Sequence, residues 1–283
     1  MTRSFGFLKE EPGQHDALCG VNRDASEDLL AGSAALPDDT GFRLTRALPK
    51  FKNQADTNVC VPTAITNGAE TRLRAIGVAV ETGSVPQLYA LSNQLIEAPG
   101  APLRDVGTYG RTCMQAAADW GVARDADYPF RDPRTGAIDK ARLVARLDKR
   151  PDVLQRASSW KLDEQLTIYA RGPDRIRTIR AALVNLEPIP TAGVVDRAFM
   201  GYAGRGVIGA PNMLDQRGRH MVLIVDYRTN PTTKKIEFLI RNSWSSWGLV
   251  HLNQPSLAWV DENWIQAQEE MYRMRVSHGR RTS

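Results

Sequence analysis

Phe51-Lys52-Asn53-Gln54-Ala55-Asp56-Thr57-Asn58-Val59-Cys60-Val61-Pro62 is a polar loop that runs into a cysteine and then into a helix. From Cys60 onward Val61, Ala64, Ile65, Ala69, Leu73 and Ile76 recur every three or four residues, which predicts a helix over 60–76. Pro62 falls in its first turn, where a missing N–H costs nothing, and Gly77 supplies the stop. A thiol at a helix start faces unpaired backbone N–H groups and the positive end of the macrodipole. Both favour the thiolate, which is the nucleophilic form. A lone cysteine in such a place is more often just a small buried residue. The reading therefore turns on whether a base and an orienter for that base exist downstream.

The chain has four histidines: His15, His220, His251 and His278. His220 immediately precedes the apolar run Met221-Val222-Leu223-Ile224-Val225, which reads on through Asp226 to Tyr227 as a strand. A histidine at a strand edge is held rigidly enough for directed proton transfer. The next strand, Ile236–Arg241, is separated from it by the turn Asn230-Pro231-Thr232-Thr233, and it leads into Asn242-Ser243-Trp244. An asparagine there can hydrogen-bond the imidazole, and an indole beside it can exclude water.

The wider pattern is helical first and strand-rich second. Leu88, Leu91 and Leu95 mark a helix over about 86–98, and further helices are expected over 112–120, 140–147 and 176–186, with a strand over 189–195. That order predicts an α+β fold of two lobes. The 283 residues carry 42% apolar and 24% charged side chains and a net charge of +5, an ordinary globular mix that excludes a disordered chain, a collagen or a coiled coil. No basic block with interleaved aromatics points to nucleic acid, and no run approaches the ~20 apolar residues of a membrane span. The cysteines Cys19, Cys60 and Cys113 are widely spaced, which argues against a disulfide framework and a structural zinc site. No metal or other cofactor is expected. The N-terminus lacks the apolar run of a secretory signal, so the chain is expected in the cytoplasm or exported by a signal-independent route.

The three blocks resemble, in order, the active-site blocks of the papain-like cysteine peptidases, in particular their bacterial branch. They are Asn53-Gln54 leading to Cys60, Gly218-Arg219-His220 before the strand, and Ile240-Arg241-Asn242-Ser243-Trp244. His220 follows Cys60 by 160 residues, and Asn242 follows His220 by 22. Asp105-Val106-Gly107-Thr108-Tyr109 and Gly121-Val122 leading to Tyr128-Pro129-Phe130 also agree. The resemblance covers roughly residues 36–275. It implies a two-lobed fold with a helical lobe over about 50–155, a β-barrel-like lobe over about 156–276, and an active-site cleft between them.

The resemblance also implies roles. Cys60 would attack a peptide carbonyl, forming an acyl-enzyme thioester. His220 would exchange the proton, Asn242 would orient His220, and Trp244 would shield that contact. Gln54 would supply an oxyanion-hole donor. Gly107 and Thr108 would pair with extended substrate backbone, and Tyr109, Gly110 and Met221 would lie near a pocket for an apolar P2 side chain. An endopeptidase acting as a monomer on peptides or proteins is expected. An acyltransferase or transglutaminase-like effector on the same triad, and a catalytically silent binding module, are the rival readings.

The chain departs from the family's usual pattern in places. Asn58-Val59-Cys60-Val61 replaces Gly-Ser-Cys-Trp, Thr57 stands where a disulfide cysteine is usual, and Ser245-Ser246-Trp247-Gly248 is one residue shorter than the usual turn. Residues 1–35 read as a polar extension, too short for a long helical prosegment, and are expected either to trail freely or to gate the cleft. Residues 277–283 read as a basic tail.

Overall fold

The computed structural model describes residues 5–9, 23–24, 29, 36–147, 150–157, 160–163 and 166–278. Among them the helices are α1 (Arg43–Ala47), α2 (Cys60–Ala75), α3 (Val85–Ile96), α4 (Gly110–Asp119), α5 (Lys140–Leu143), α6 (Pro151–Ala157), α7 (Gly172–Val184), α8 (Arg197–Met200) and α9 (Glu262–Gln266). The strands are β1 (Phe7–Leu8), β2 (Arg23–Asp24), β3 (Thr108–Tyr109), β4 (Trp160–Leu162), β5 (Leu166–Thr167), β6 (Ile189–Asp196), β7 (Val207–Ile208), β8 (Gln216–Thr229), β9 (Ile236–Arg241), β10 (Leu249–His251), β11 (Gln254–Asp261), β12 (Glu270–Arg273) and β13 (Val276–His278). Cys19, His15 and the last five residues of the basic tail lie outside the described residues.

Helix α2 carries the architecture. Every residue from Cys60 to Thr71 is buried, so the helix is covered on all sides rather than along one stripe. One side packs into the helical lobe's core with Leu88, Leu91, Met114 and Ala117. The other lies on β8. A Cβ at Gly68 would sit 3.2 Å from Leu223 Cδ1, so the missing side chain is what lets helix and sheet approach. The helix ends as its sequence signals. The Gly77 N–H donates to Arg74 O and the Val78 N–H to Leu73 O, with Gly77 at φ +81°.

The second lobe is built on one sheet ordered β10-β11-β9-β8-β6-β12-β5-β2, with β7 paired to β11. β8 and β9 form an antiparallel hairpin, and β6 flanks β8 on its other side with Gly193 opposite His220. β8 begins at Gln216, so His220 sits inside the strand, not just before it. The polar residues 216–219 show no apolar alternation. Backbone pairing with β6, as at Asp196 with Gln216, keeps them in the ladder. α7 likewise starts earlier than its apolar spacing indicates, at Gly172, and α5 ends earlier, at Leu143. Among the described residues no helix is long and apolar enough to cross a membrane.

Arg175 ties this lobe together. It is 1% exposed, and its guanidinium donates to the carbonyls of Ala170 (2.8 Å), Ile265 (3.3 Å), Gln266 (3.1 Å) and Gln268 (3.0 Å). Arg175→Met keeps the length but strips several buried carbonyls of their donor, and should cost about 3 kcal/mol. Urea unfolding will read this. A loss below about 1 kcal/mol would show that the staple is dispensable.

Residues of the N-terminal extension pair with the body. β1 runs parallel to β3, with Phe7 opposite Thr108 and Leu8 opposite Tyr109. β2 runs parallel to β5, and Leu29 is buried in the core of the second lobe.

Candidate active site

The polar loop before α2 is fixed from the second lobe. The Gln54 N–H donates to Ser243 O at 3.0 Å, and the Ser243 hydroxyl donates to Gln54 Oε1. The Gln54 side-chain amide in turn donates to Thr57 O at 2.9 Å, and the Thr57 hydroxyl to Gln54 O at 2.6 Å. Gln54 is thus wholly buried, with its side chain held beside the last turn before the nucleophile.

The hairpin brings base and orienter together. His220 Nε2–H donates to Asn242 Oδ1 at 2.7 Å, with both residues 2% exposed. That bond directs the other ring nitrogen, Nδ1, away from Asn242. Trp244 stacks on the imidazole, with centroids 4.2 Å apart and planes 24° from parallel. Asn242 is fixed in turn by its N–H to Ser256 O and by the Ser243 N–H on its Oδ1. The shortened turn closes with Ser246 in the left-handed region at φ +57° and with Gly248, where a Cβ would meet Leu257 O at 2.3 Å.

Cys60 is fully buried, and burial pushes its thiol up to about 11. This corrects the expectation of a stabilised thiolate. The helix start does act in the expected direction, since the backbone of Val61 and of Cys60 itself lowers the value. So do the backbones of Met221, next to His220, and of Gly6. Desolvation outweighs them all.

Gly6 is part of that cover. Its carbonyl accepts from the Thr108 N–H at 2.9 Å. A Cβ at Gly6 would lie 1.8 Å from Asn58 O, and one at Gly107 would lie 2.6 Å from Gly6 O. The Phe5 ring lies against Gly218 and meets Trp244 edge-on at 6.0 Å. Phe7 is buried in the same cluster as Cys60, Ala192, Met221 and Tyr272. Lys9 reaches Glu269 at 3.7 Å, a carboxylate that also holds Arg219. Residues 5–9 therefore cross the site from Trp244 to Tyr109.

Each residue singled out in the sequence has a place here. Gln54, His220, Asn242 and Trp244 converge, and Cys60 meets the backbone of Met221. Gly107 and Thr108 form the strip opposite Asn58. Gly110 abuts Tyr272, whose ring a Cβ there would meet at 2.6 Å, and Met221 is buried nearby. Tyr272 carries no local signal of a site role, and residues 5–9 lie within the 1–35 extension whose two expected behaviours are to trail freely or to gate the cleft. The apolar run Phe5-Gly6-Phe7-Leu8 in an otherwise polar extension was the available signal.

The model of the family described as "Papain family cysteine protease" matches residues 38–250. The chain belongs to the papain family of cysteine proteases. Its activity is peptide-bond hydrolysis. Papain-family folds are found among solved structures at low sequence identity. Xylellain, a cysteine protease from Xylella fastidiosa, superposes with a TM-score of 0.70 at 18% identity, covering 96% of this chain and 95% of that one. Procathepsin L 3 from the larval midgut of Tenebrio molitor gives 0.62 at 16% identity, covering 92% and 78%. Bromelain from Ananas comosus, solved with the E64 inhibitor, gives 0.58 at 18% identity, covering 85% and 100%. No curated protein matches this chain.

Proposed function

We propose that hydrolysis in this papain-family chain runs through Cys60, His220 and Asn242. The observation that carries this reading is the His220–Asn242 bond under the stacked Trp244, a buried orienter–base pair beside the start of α2. With Nε2–H on Asn242, Nδ1 takes the Cys60 proton. The thiolate attacks the peptide carbonyl carbon, and the developing oxyanion is met by the Gln54 side-chain N–H and the Cys60 N–H. His220 then gives its proton to the leaving amine, and the C–N bond breaks to leave a thioester. Water, deprotonated by His220, hydrolyses the thioester and restores the thiol.

Residues 5–9 also suggest how substrate lies. They pass through the cleft on both sides of Cys60, which suits an endopeptidase. Phe7 is buried in the apolar cluster that holds Met221 and Tyr272, which supports an apolar P2 preference. The same segment acts as a gate in this reading. Its Gly6 carbonyl accepts from the Thr108 N–H, as a substrate backbone would on that strip.

Mass spectrometry of an internally cleavable peptide incubated with the chain and an added primary amine tests the reaction type. Two fragments, one ending in a free carboxylate, are the expected products. An intact peptide carrying the amine would favour an acyltransferase, and no reaction in gate-opened protein a silent module.

A further inference from the structure

The nucleophile loop and the substrate strip are joined by a closed ring of hydrogen bonds. Asp105 Oδ1 accepts from the Asn58 N–H (3.1 Å) and from the Tyr89 hydroxyl (2.9 Å). The Asp105 main-chain carbonyl accepts from the Asn58 side-chain amide (2.8 Å). The Tyr89 hydroxyl in turn accepts from the Gly107 N–H (2.9 Å). Asn58 stands two residues before Cys60, and Gly107 one residue before Thr108.

Both walls of the slot therefore hang on one side chain of α3. That side chain is rigidly seated. Tyr89 is fully buried, in a cluster with Val59, Val85, Phe130 and Leu143. One turn further along α3, Ser92 Oγ bonds the hydroxyls of Thr108 and Thr112, so the strip is held by the same helix from below. Gly6 gauges the gap between the walls. Its carbonyl touches one wall and its Cα faces the other so closely that no Cβ fits. The slot is one peptide backbone thick.

We propose that Tyr89 and Asp105 are positioning residues for the hydrolysis assigned above, clasping the Asn58–Cys60 loop to the Gly107–Thr108 strip and so setting the width of the slot beside the nucleophile. The proposal rests on that catalytic reading. Neither side chain touches the reacting atoms. They act because the Cys60 N–H and the Thr108 N–H must grip one substrate at a fixed separation, and a shift of about 1 Å in such a pair costs on the order of 100-fold in rate.

Three variants of the full chain test this: Tyr89→Phe, Asp105→Ala and Asp105→Asn. An asparagine Oδ1 can accept the same two bonds, whereas alanine and phenylalanine break the ring. Peptide-amide turnover is measured per titrated Cys60, so misfolded protein does not count. Tyr89→Phe and Asp105→Ala should each lose at least tenfold in kcat, and Asp105→Asn should stay within about threefold of the parent. Two results overturn the proposal. One is unchanged kcat per titrated site in Tyr89→Phe and Asp105→Ala, which would leave the ring a purely stabilising feature. The other is an equal fall in Asp105→Asn and Asp105→Ala. Amide hydrogen exchange at Asn58 and Gly107 is measured on the same proteins. If neither the parent nor the gate-opened Gly6→Ala chain shows turnover, the catalytic reading fails by itself. The clasp then stands on exchange protection kept in Asp105→Asn and lost in the other two, and falls if protection is equal in all.

Discussion

Cys60→Ala abolishes both cleavage of a peptide amide and covalent labelling by an epoxysuccinyl inhibitor, and His220→Ala lowers kcat by at least 10⁴-fold on the scale set by other triad enzymes. The two expectations have different causes. Without Cys60 no atom in the cleft can form the thioester. Without His220 the thiol keeps its proton, since burial already disfavours the thiolate. Asn242→Ala should be milder. The imidazole remains, stacked on Trp244, but loses the partner that fixes Nε2–H and the ring's orientation. Steady-state kinetics with active-site titration separates the three. Wild-type turnover in Cys60→Ala would sink the assignment outright. An Asn242→Ala defect equal to that of His220→Ala would mean that Asn242 does more than orient.

Much of this site was legible because each member carries a local signal. Cys60 opens a strongly periodic helix, His220 adjoins an apolar strand run, and Asn242 follows the next strand, so hairpin pairing alone brings the last two together. The fold was legible for the same reason. α2 and α3 have a clear period of 3.6, and β6, β8 and β9 contain short apolar runs bounded by turn residues. What remained hidden is nonlocal. The pairing of Phe7–Leu8 with Thr108–Tyr109 joins two-residue strands about a hundred positions apart, and two residues hold no period. Tyr89 reads as one more apolar position of α3, because its spacing fits the helix core and its hydroxyl finds partners only after the 105–107 loop has folded back. The Cys60 thiol shows the same limit most sharply. Its place at a helix start argues for ionisation. Its burial comes from packing among residues far apart in the chain, Phe7, Met221 and Tyr272 among them, and desolvation outweighs the helix start.

That desolvation makes the gate measurable. In the full chain the rate of Cys60 alkylation by iodoacetamide should climb with pH toward a midpoint near 11, because only the thiolate reacts and burial holds the thiol protonated. At pH 7 about one thiol in 10⁴ is then ionised, against about 3% for an unperturbed cysteine. Gly6→Ala is the sharpest way to lift the cover. The new methyl would fall 1.8 Å from the Asn58 carbonyl oxygen, which belongs to a loop pinned to Asp105 and cannot give way cheaply, so the segment must leave its track. Deleting residues 1–35 is a blunter probe, since it also removes Leu29 from the core and β2 from the sheet edge. With the cover lifted, water returns, the midpoint falls, and labelling at pH 7 should rise by up to about 300-fold, with hydrolysis rising alongside it. The sign of the coupling follows. A thiol whose pKa is higher in the covered state favours that state while protonated, so this contribution to closure is complete at neutral and acidic pH. It fades as pH climbs from the uncovered pKa toward 11. Identical midpoints and rates in the parent chain and Gly6→Ala would show that Phe5–Lys9 merely rests on the cleft. A lowered midpoint with unchanged hydrolysis would show that the segment shields the thiol without limiting access of substrate.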